Sequence, residues 1–289
     1  MVYSKSKGIL LSELLLFPRK RISSTRLKTF LQHKTILITG ASYGIGEATA
    51  RLLAIYEVTL ILTARTKEKL ESIRKQLEKL GATVYVFPAD LYDIKQTEKL
   101  LEFILQSGLC IDIFISNAGK SICRPVEESL ERFHDVTRTM SLNYYAPVRL
   151  TLGLIPLLKH TKGQIIHISA INVLFPPAPY WAAYQASKTA IDQWFRSTAL
   201  ELKPAGIHIT SIYLPLVQTR MIEPTKAYRN MPAMNVEQAA TIIARCILKR
   251  KKMFKPWWCT VSQWISFVFE RQWQYFSGRF IKKGYERMD

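Results

Sequence analysis

Cysteine is scarce: four in 289 residues (Cys110, Cys123, Cys246 and Cys259), widely scattered. No Cys-x-x-Cys pair and no cysteine–histidine ligand spacing occurs. The thiols are therefore read as reduced, in a reducing compartment, with no structural metal. Acids are scarce as well, 22 Asp and Glu against 41 Lys and Arg, for a formal net charge of +19. Long apolar runs are missing. The run Ile9–Phe17 is about nine residues, is broken by Glu13, and is too short to cross a bilayer. Trp257–Phe269, at about 13 residues, is also too short to cross securely. No internal repeat or low-complexity tract is visible. With 48% hydrophobic residues, wholesale disorder is excluded, and the length fits one large α/β domain with terminal extensions.

The positive charge belongs to the ends. Residues 35–244 hold 22 basic against 18 acidic residues, whereas 1–34 and 245–289 together hold 19 against four. A nucleic-acid binder would carry its charge on the folded domain or in a recognisable motif, and neither is present, so no nucleic-acid partner is expected. Near the N-terminus the Ile9–Phe17 run precedes the basic cluster Arg19-Lys-Arg21. That order argues against a secretory signal. It fits a short amphipathic helix lying on a membrane or on the domain. From Lys249 the chain becomes basic and aromatic: Lys249-Arg-Lys-Lys252 precedes Trp257, Trp258, Trp264, Phe267, Phe269, Trp273, Tyr275, Phe276 and Phe280. Arg271, Arg279, Lys282 and Lys283 are interleaved. Such a tail suits a helical subdomain over the site, a membrane surface, or direct substrate contact. The expected organisation is thus an extension over 1–34, a domain over 35–250 and a helical tail over 251–289.

Between the ends, apolar strands alternate with helical segments. Lys34–Thr39, Val58–Thr63, Thr83–Phe87, Ile111–Ser116, Gln164–Ser169 and His208–Leu214 read as strands. Gly46–Ile55, Lys67–Leu80 and Tyr184–Lys203 read as helices. This alternation predicts parallel βαβ units, hence an α/β fold with a doubly wound sheet and helices on both faces.

Directly after the first strand comes Gly40, then Ser42, Tyr43, Gly44, Ile45 and Gly46 opening a helix. Gly40 allows a tight turn, and Gly44 and Gly46 let the backbone approach a pyrophosphate held on the helix N-terminus. At the end of the second strand an acid would bond a ribose 2′-OH. The chain has Thr63-Ala-Arg65-Thr-Lys67 instead, which favours the 2′-phosphate of NADPH. Asp90, with Leu91, follows the third strand and is placed to contact adenine. Tyr184 and Lys188 stand i, i+4 on one helix and share a face. An ammonium beside a phenol of pKa near 10 is expected to pull it toward the working range.

At these residues, together with Asn117-Ala118-Gly119 and Asn143, the chain resembles the short-chain dehydrogenase/reductase family over roughly residues 35–250. The resemblance implies a single Rossmann-type domain. It further implies that Asn117-Ala-Gly119 stabilises the sheet and borders the adenosine, and that Asn143 holds a structural water in a proton relay. Tyr184 would be the acid/base, and Lys188 would bind the nicotinamide ribose and lower the tyrosine pKa. Thr219 would bond the carboxamide. One departure stands out. The family's catalytic serine aligns with Ala170, 14 residues before Tyr184, one more than the usual spacing. Strand alternation points Ser169 and Ala170 opposite ways. The departure permits a handicapped enzyme, one rescued by Ser169 or Asn172, or a cofactor-binding protein that no longer catalyses.

The segments Ser211–Tyr228, Met231–Ala240, Gly119–Pro125, Glu131–Asp135 and Arg138–Tyr144 resemble the bacterial long-chain fatty acyl-CoA reductases, including Pro215-Leu216 where most of the superfamily has Pro-Gly. The implied reaction is NADPH-dependent reduction of a long-chain acyl thioester to an aldehyde. Two other readings stay open: reduction of a lipid ketone or aldehyde of the 3-keto-sphingoid type, and a silent NADP-binding module at a membrane. The implied partners are a lipid-like substrate, a membrane touched peripherally through the basic termini at its cytoplasmic face, and a second copy pairing through the helices around Phe103 and Tyr184.

Overall fold

The computed structural model describes residues 7–19, 21–225, 228, 231–272, 274 and 275. Seven strands form one parallel sheet: β1 (Thr35–Thr39), β2 (Thr59–Ala64), β3 (Thr83–Pro88), β4 (Ile113–Ser116), β5 (Gln164–Ala170), β6 (His208–Leu214) and β7 (Met253–Phe254). Their order is β3-β2-β1-β4-β5-β6-β7. The chain winds outward from β1 to β3, crosses back to β4, and winds outward the other way. β1 and β4 are therefore the strands between which connections part to opposite sides, and a crevice opens at their carboxyl ends.

The inner strands are near-continuous apolar runs because both faces are covered, whereas the edge strand β3 is only partly buried. All five residues of β1 and all four of β4 are buried. Side chains alternate between two cores. Ile36, Ile38, Ile113 and Ile115 join one, while Leu37 and Phe114 join the other. The first core is closed by α2 (Ser24–Leu31), α3 (Gly44–Ala54), α4 (Lys67–Glu78) and α9 (Val236–Lys249). The second is closed by α5 (Ile94–Gln106), α7 (Ala146–Thr161) and α8 (Ala182–Leu202). Helix α6 (Phe133–Met140) leads into a π-helical turn, Ser141–Tyr145, before α7.

The described parts of both terminal segments fold against this body. In α1 (Lys7–Leu16) the Glu13 carboxylate accepts the Ala233 N–H at 2.9 Å, and just past it the Phe17 carbonyl accepts from Gln238 Nε2 at 2.9 Å. Phe17, Leu27 and Leu31 are buried in the first core, while Leu11, Leu14 and Leu15 of α1 are exposed. The sheet does not stop at residue 250: β7 pairs with β6 through Met253 and Phe254. Helix α10 (Cys259–Val268) follows. Trp257 Nε1 donates to the Leu15 carbonyl at 3.3 Å, joining the two ends. No helix among the described residues is long and apolar enough to cross a membrane. Lys20, Lys226, Trp273 and the tail from Phe276 onward lie outside the described residues.

Candidate active site

A cleft of about 660 Å³ occupies the crevice at the carboxyl ends of the strands. Gly40, Ser42, Tyr43, Gly44 and Ile45 line one wall, with Arg65, Asp90, Leu91, Asn117, Ala118 and Gly119 beside them. The glycines are dictated by space. Gly40 has φ +67°, and a methyl there would stand 2.9 Å from Ala118 Cα. Gly44 has φ +58°, and its methyl would meet Thr219 Cγ2 at 2.9 Å. Gly46 lines no cleft wall, but its methyl would lie 2.2 Å from the Gly40 carbonyl oxygen, so it seats α3 against the turn. Tyr43, the residue before α3, gives the helix no side-chain cap. The first-turn N–H groups are thus left to a ligand in the cleft, the arrangement that suits phosphate.

Asn117 welds the β4 end to this turn. Its amide donates to the carbonyls of Thr39 at 2.9 Å and Gly40 at 3.2 Å. The Thr39 hydroxyl in turn accepts the N–H groups of Asn117 and Ala118 at 3.0 and 3.1 Å. The rim is cationic: Arg65, Lys120, Arg138 and Arg220 all line the cleft. Arg220 lies over the Tyr43 ring, 4.0 Å from its centroid. Lys120 has its pKa lowered by burial first and by Arg138 second, with Arg65 also contributing. Asp135 opposes the shift, and the four cations along the rim suit an anionic ligand.

Tyr184 and Lys188 reach the same cleft from α8. Lys188 is buried, and its ammonium donates to the Ile168 carbonyl at 3.0 Å. A methyl on Gly119 would sit 3.3 Å from Asn143 Oδ1 and 3.5 Å from Lys188 Nζ, so these three residues meet. Asn143 sits in the π turn and lines no cleft wall. Its Oδ1 accepts the Lys120 N–H at 2.8 Å, and its Nδ2 donates to the Lys120 carbonyl and the Ser187 hydroxyl, both at 2.9 Å. The Ser187 hydroxyl donates onward to the Tyr184 carbonyl at 2.8 Å. Asn143 thereby fixes the chain after Gly119 and ties it to α8.

One expectation is corrected here. Lys188 does not bring the phenol of Tyr184 down; burial is the largest influence on Tyr184 and raises its pKa, with Tyr228 adding to the rise. Burial also pulls Lys188 down to about 8, against the opposing charge of Asp192 one turn on. At neutral pH both groups thus carry their protons. That state suits a proton donor, the role a reductase needs.

A pH dependence follows from Lys188. Its ammonium, which would stabilise the phenolate left after proton donation, is lost as pH rises through about 8. The rate of reduction is expected to fall along an alkaline limb there. Between about 8 and the ordinary 10.5 the unfolded chain holds the proton that native Lys188 has released. At this site, stability therefore rises with pH over that window. A loss of rate near pH 8 without a loss in thermal stability is the expected result of a pH–rate profile run beside thermal melts.

Ser169 and Ala170 point to opposite faces, as alternation requires. Ile165 and His167 face α8, His167 stacking 4.6 Å from Phe195. Ser169, two residues further, is buried on that same side, beside Asp192, yet it too lines the cleft with Tyr184 and Lys188. Ala170 is less buried, at the rim. Thr219 lies against Gly44 with its hydroxyl donating to the Val217 carbonyl at 3.3 Å. Sequence reasoning missed Lys120, Arg138, Arg220 and Ser187. Arg220, Lys120 and Ser187 had a usable signal, standing next to Thr219, Gly119 and Lys188; Arg138 is placed by folding alone.

The family model described as short chain dehydrogenase matches residues 34–230. A fatty acyl-CoA reductase of Acinetobacter baylyi is 46% identical over 220 residues, 76% of this chain and 74% of that protein. A fatty acyl-CoA reductase of Mycobacterium tuberculosis is 43% identical over 211 residues, 73% and 72% of the two chains. Among solved structures, a short-chain dehydrogenase from Sphingobium yanoikuyae in complex with NADPH superposes with a TM-score of 0.71 at 27% identity, covering 83% of this chain and 94% of that one. The glycine cradle, the Tyr184–Lys188 pair and these likenesses agree, and the chain belongs to the short-chain dehydrogenase family.

Proposed function

We propose that this protein is an NADPH-dependent reductase of long-chain fatty acyl-CoA, yielding the fatty aldehyde. The observation that carries the reading is the likeness to fatty acyl-CoA reductases across three quarters of the chain, in a protein whose Tyr184–Lys188 pair opens onto a cation-rimmed cleft. The residues present fit the cofactor. Gly40, Gly44 and the uncapped start of α3 leave room and donors for a pyrophosphate, and Arg65 suits a 2′-phosphate. Bound there, NADPH supplies the hydride.

The rest of the work falls to the chain. Tyr184 Oη donates its proton to the substrate as the carbonyl oxygen gains charge or the sulfur departs. Lys188 Nζ, held by the Ile168 carbonyl, stabilises the resulting phenolate and orients the ribose. Asn143 and Ser187 keep α8 in register with Lys120. The balance is one acyl thioester, one hydride and one proton in, and one aldehyde and one free thiol out. Thiol release separates this reaction from reduction of a lipid ketone, which frees none. Capture of the long-chain aldehyde as its hydrazone, from palmitoyl-CoA and NADPH, tests the reading; a secondary alcohol formed only from a keto lipid would replace it.

Ala170 leaves the developing oxyanion one donor short. One such donor is worth about 10²–10³ in rate. Ala170→Ser is therefore expected to raise kcat by up to about 10² at unchanged NADPH affinity; an unchanged kcat would mean that Ser169, which lines the same cleft, or Asn172 already serves. The third reading, a silent NADP-binding module, predicts nucleotide binding without turnover in either form.

The basic ends would hold the reductase peripherally against an anionic bilayer at the cytoplasmic face. Exposed Leu11, Leu14 and Leu15 of α1 and Trp257, Val261 and Val268 at α10 support this contact, as does the terminal excess of 19 basic over four acidic residues. Co-sedimentation with phosphatidylglycerol vesicles is expected and should weaken in about 1 M salt, where the Debye length is about 3 Å. A homodimer through the helices around Phe103 and Tyr184 is part of the same reading, and the mass in solution tests it.

A further inference from the structure

We infer that the groove between α10 and the segment after β5 seats the substrate's acyl chain, an inference that rests on the acyl-CoA reading above. From Ala170 at the cleft rim the backbone continues through a short 3-10 turn, Ile171–Leu174, into Phe175 and Pro176. There a cavity of about 510 Å³ is lined by Leu174, Phe175 and Pro176 and, from α10, by Trp264 and Phe267 with Thr260, Gln263 and Ser266 beside them. Its size lies in the ordinary range of ligand sites, about 300–1,000 Å³.

Both walls are anchored. Gln185, the neighbour of Tyr184, donates to the carbonyls of Asn172, Phe175 and Pro176 at 2.8, 3.4 and 3.5 Å and accepts from Ala178 N–H at 2.9 Å. The near wall is therefore fixed to the helix that carries the phenol. Gln263 fixes the far wall, donating to the Leu174 carbonyl at 3.5 Å.

Charge selects the occupant. Arg65, Lys120, Arg138 and Arg220 line the main cleft and not the groove. Among the described residues the groove's one cation, Lys255, is engaged by Gln263, and Glu270 also lines it. A polyphosphate is disfavoured there. Trp264 and Phe267, 70% and 76% exposed, offer apolar surface that a hydrocarbon chain would remove from water. An amphipathic thioester with its carbonyl at Tyr184 would thus lay its chain along Leu174–Pro176, beneath α10.

The test uses cis-parinaric acid, a fluorescent fatty acid, titrated into the full-length protein. Three forms are compared: wild type, Trp264→Ala/Phe267→Ala in the groove, and Leu11→Ser/Leu14→Ser on α1. NADPH affinity reports folding, and Phe267→Ser alone serves if the double variant fails it. The groove variant is expected to lose at least about tenfold in probe affinity, and to lose kcat/KM for palmitoyl-CoA but not for butyryl-CoA. The α1 variant should match wild type. Unchanged probe affinity in the groove variant would overturn the inference, as would an equal loss in the α1 variant, which marks general lipid adsorption. Loss of probe affinity specific to the groove, in a protein that reduces no acyl-CoA, would leave the groove standing and overturn the acyl-CoA reading.

Discussion

Replacing Tyr184 by phenylalanine is expected to lower kcat for acyl-CoA reduction by about 10²–10⁴, the range a positioned general acid supplies. NADPH affinity should stay within about twofold, because the change deletes one oxygen and leaves the ring to fill the same space. Burial keeps this phenol protonated, so it arrives at the reaction with a proton to give. Tyr228 lines the cleft with it and is itself backed by the Trp181 ring, the two centroids 5.7 Å apart. Stopped-flow single turnovers with saturating NADPH separate the chemical step from binding. Retention of full single-turnover rate in Tyr184→Phe would remove the tyrosine from the mechanism.

The second large effect concerns Gly46. Its methyl would stand 2.2 Å from the Gly40 carbonyl oxygen and 2.8 Å from Asn117 Nδ2, so Gly46→Ala must push α3 off the turn or break the Asn117 clasp. Either displaces the N–H groups that would hold phosphate. The expected outcome is a loss of about 1–3 kcal/mol in stability, seen as a drop in Tm of about 2–4 °C per kcal/mol. A fall of at least about tenfold in NADPH affinity by calorimetry is expected beside it. A variant that melts like wild type and binds NADPH normally would show that the turn tolerates what its geometry forbids.

How much of this was legible depends on the interaction concerned. Five of the six longer strands were readable because parallel strands covered on both faces are near-continuous apolar runs; the edge strand β3, only partly buried, was readable from its β-branched and aromatic residues. The cradle was readable because only glycine fits at Gly40, Gly44 and Gly46. Helix α9 was passed over although Asn235 and Gln238 form a capping box at its start; that signal was present in the sequence. Strand β7 is two residues long and has no periodicity to find. The π turn holding Asn143 shifts the hydrogen-bond register by one residue, and residue spacing does not announce it. The sign of the Tyr184 shift was missed for a different reason. Spacing places Lys188 one turn away but does not reveal that its ammonium is committed to the Ile168 carbonyl, nor how much water Tyr184 loses.

The central claim is thioester reduction by NADPH, and one cuvette tests it. Purified protein with palmitoyl-CoA is followed at 340 nm for NADPH oxidation while a thiol reagent reports free coenzyme A. Loss of NADPH matched one for one by thiol, both abolished in Tyr184→Phe, is the predicted result. NADPH binding with neither signal would contradict it.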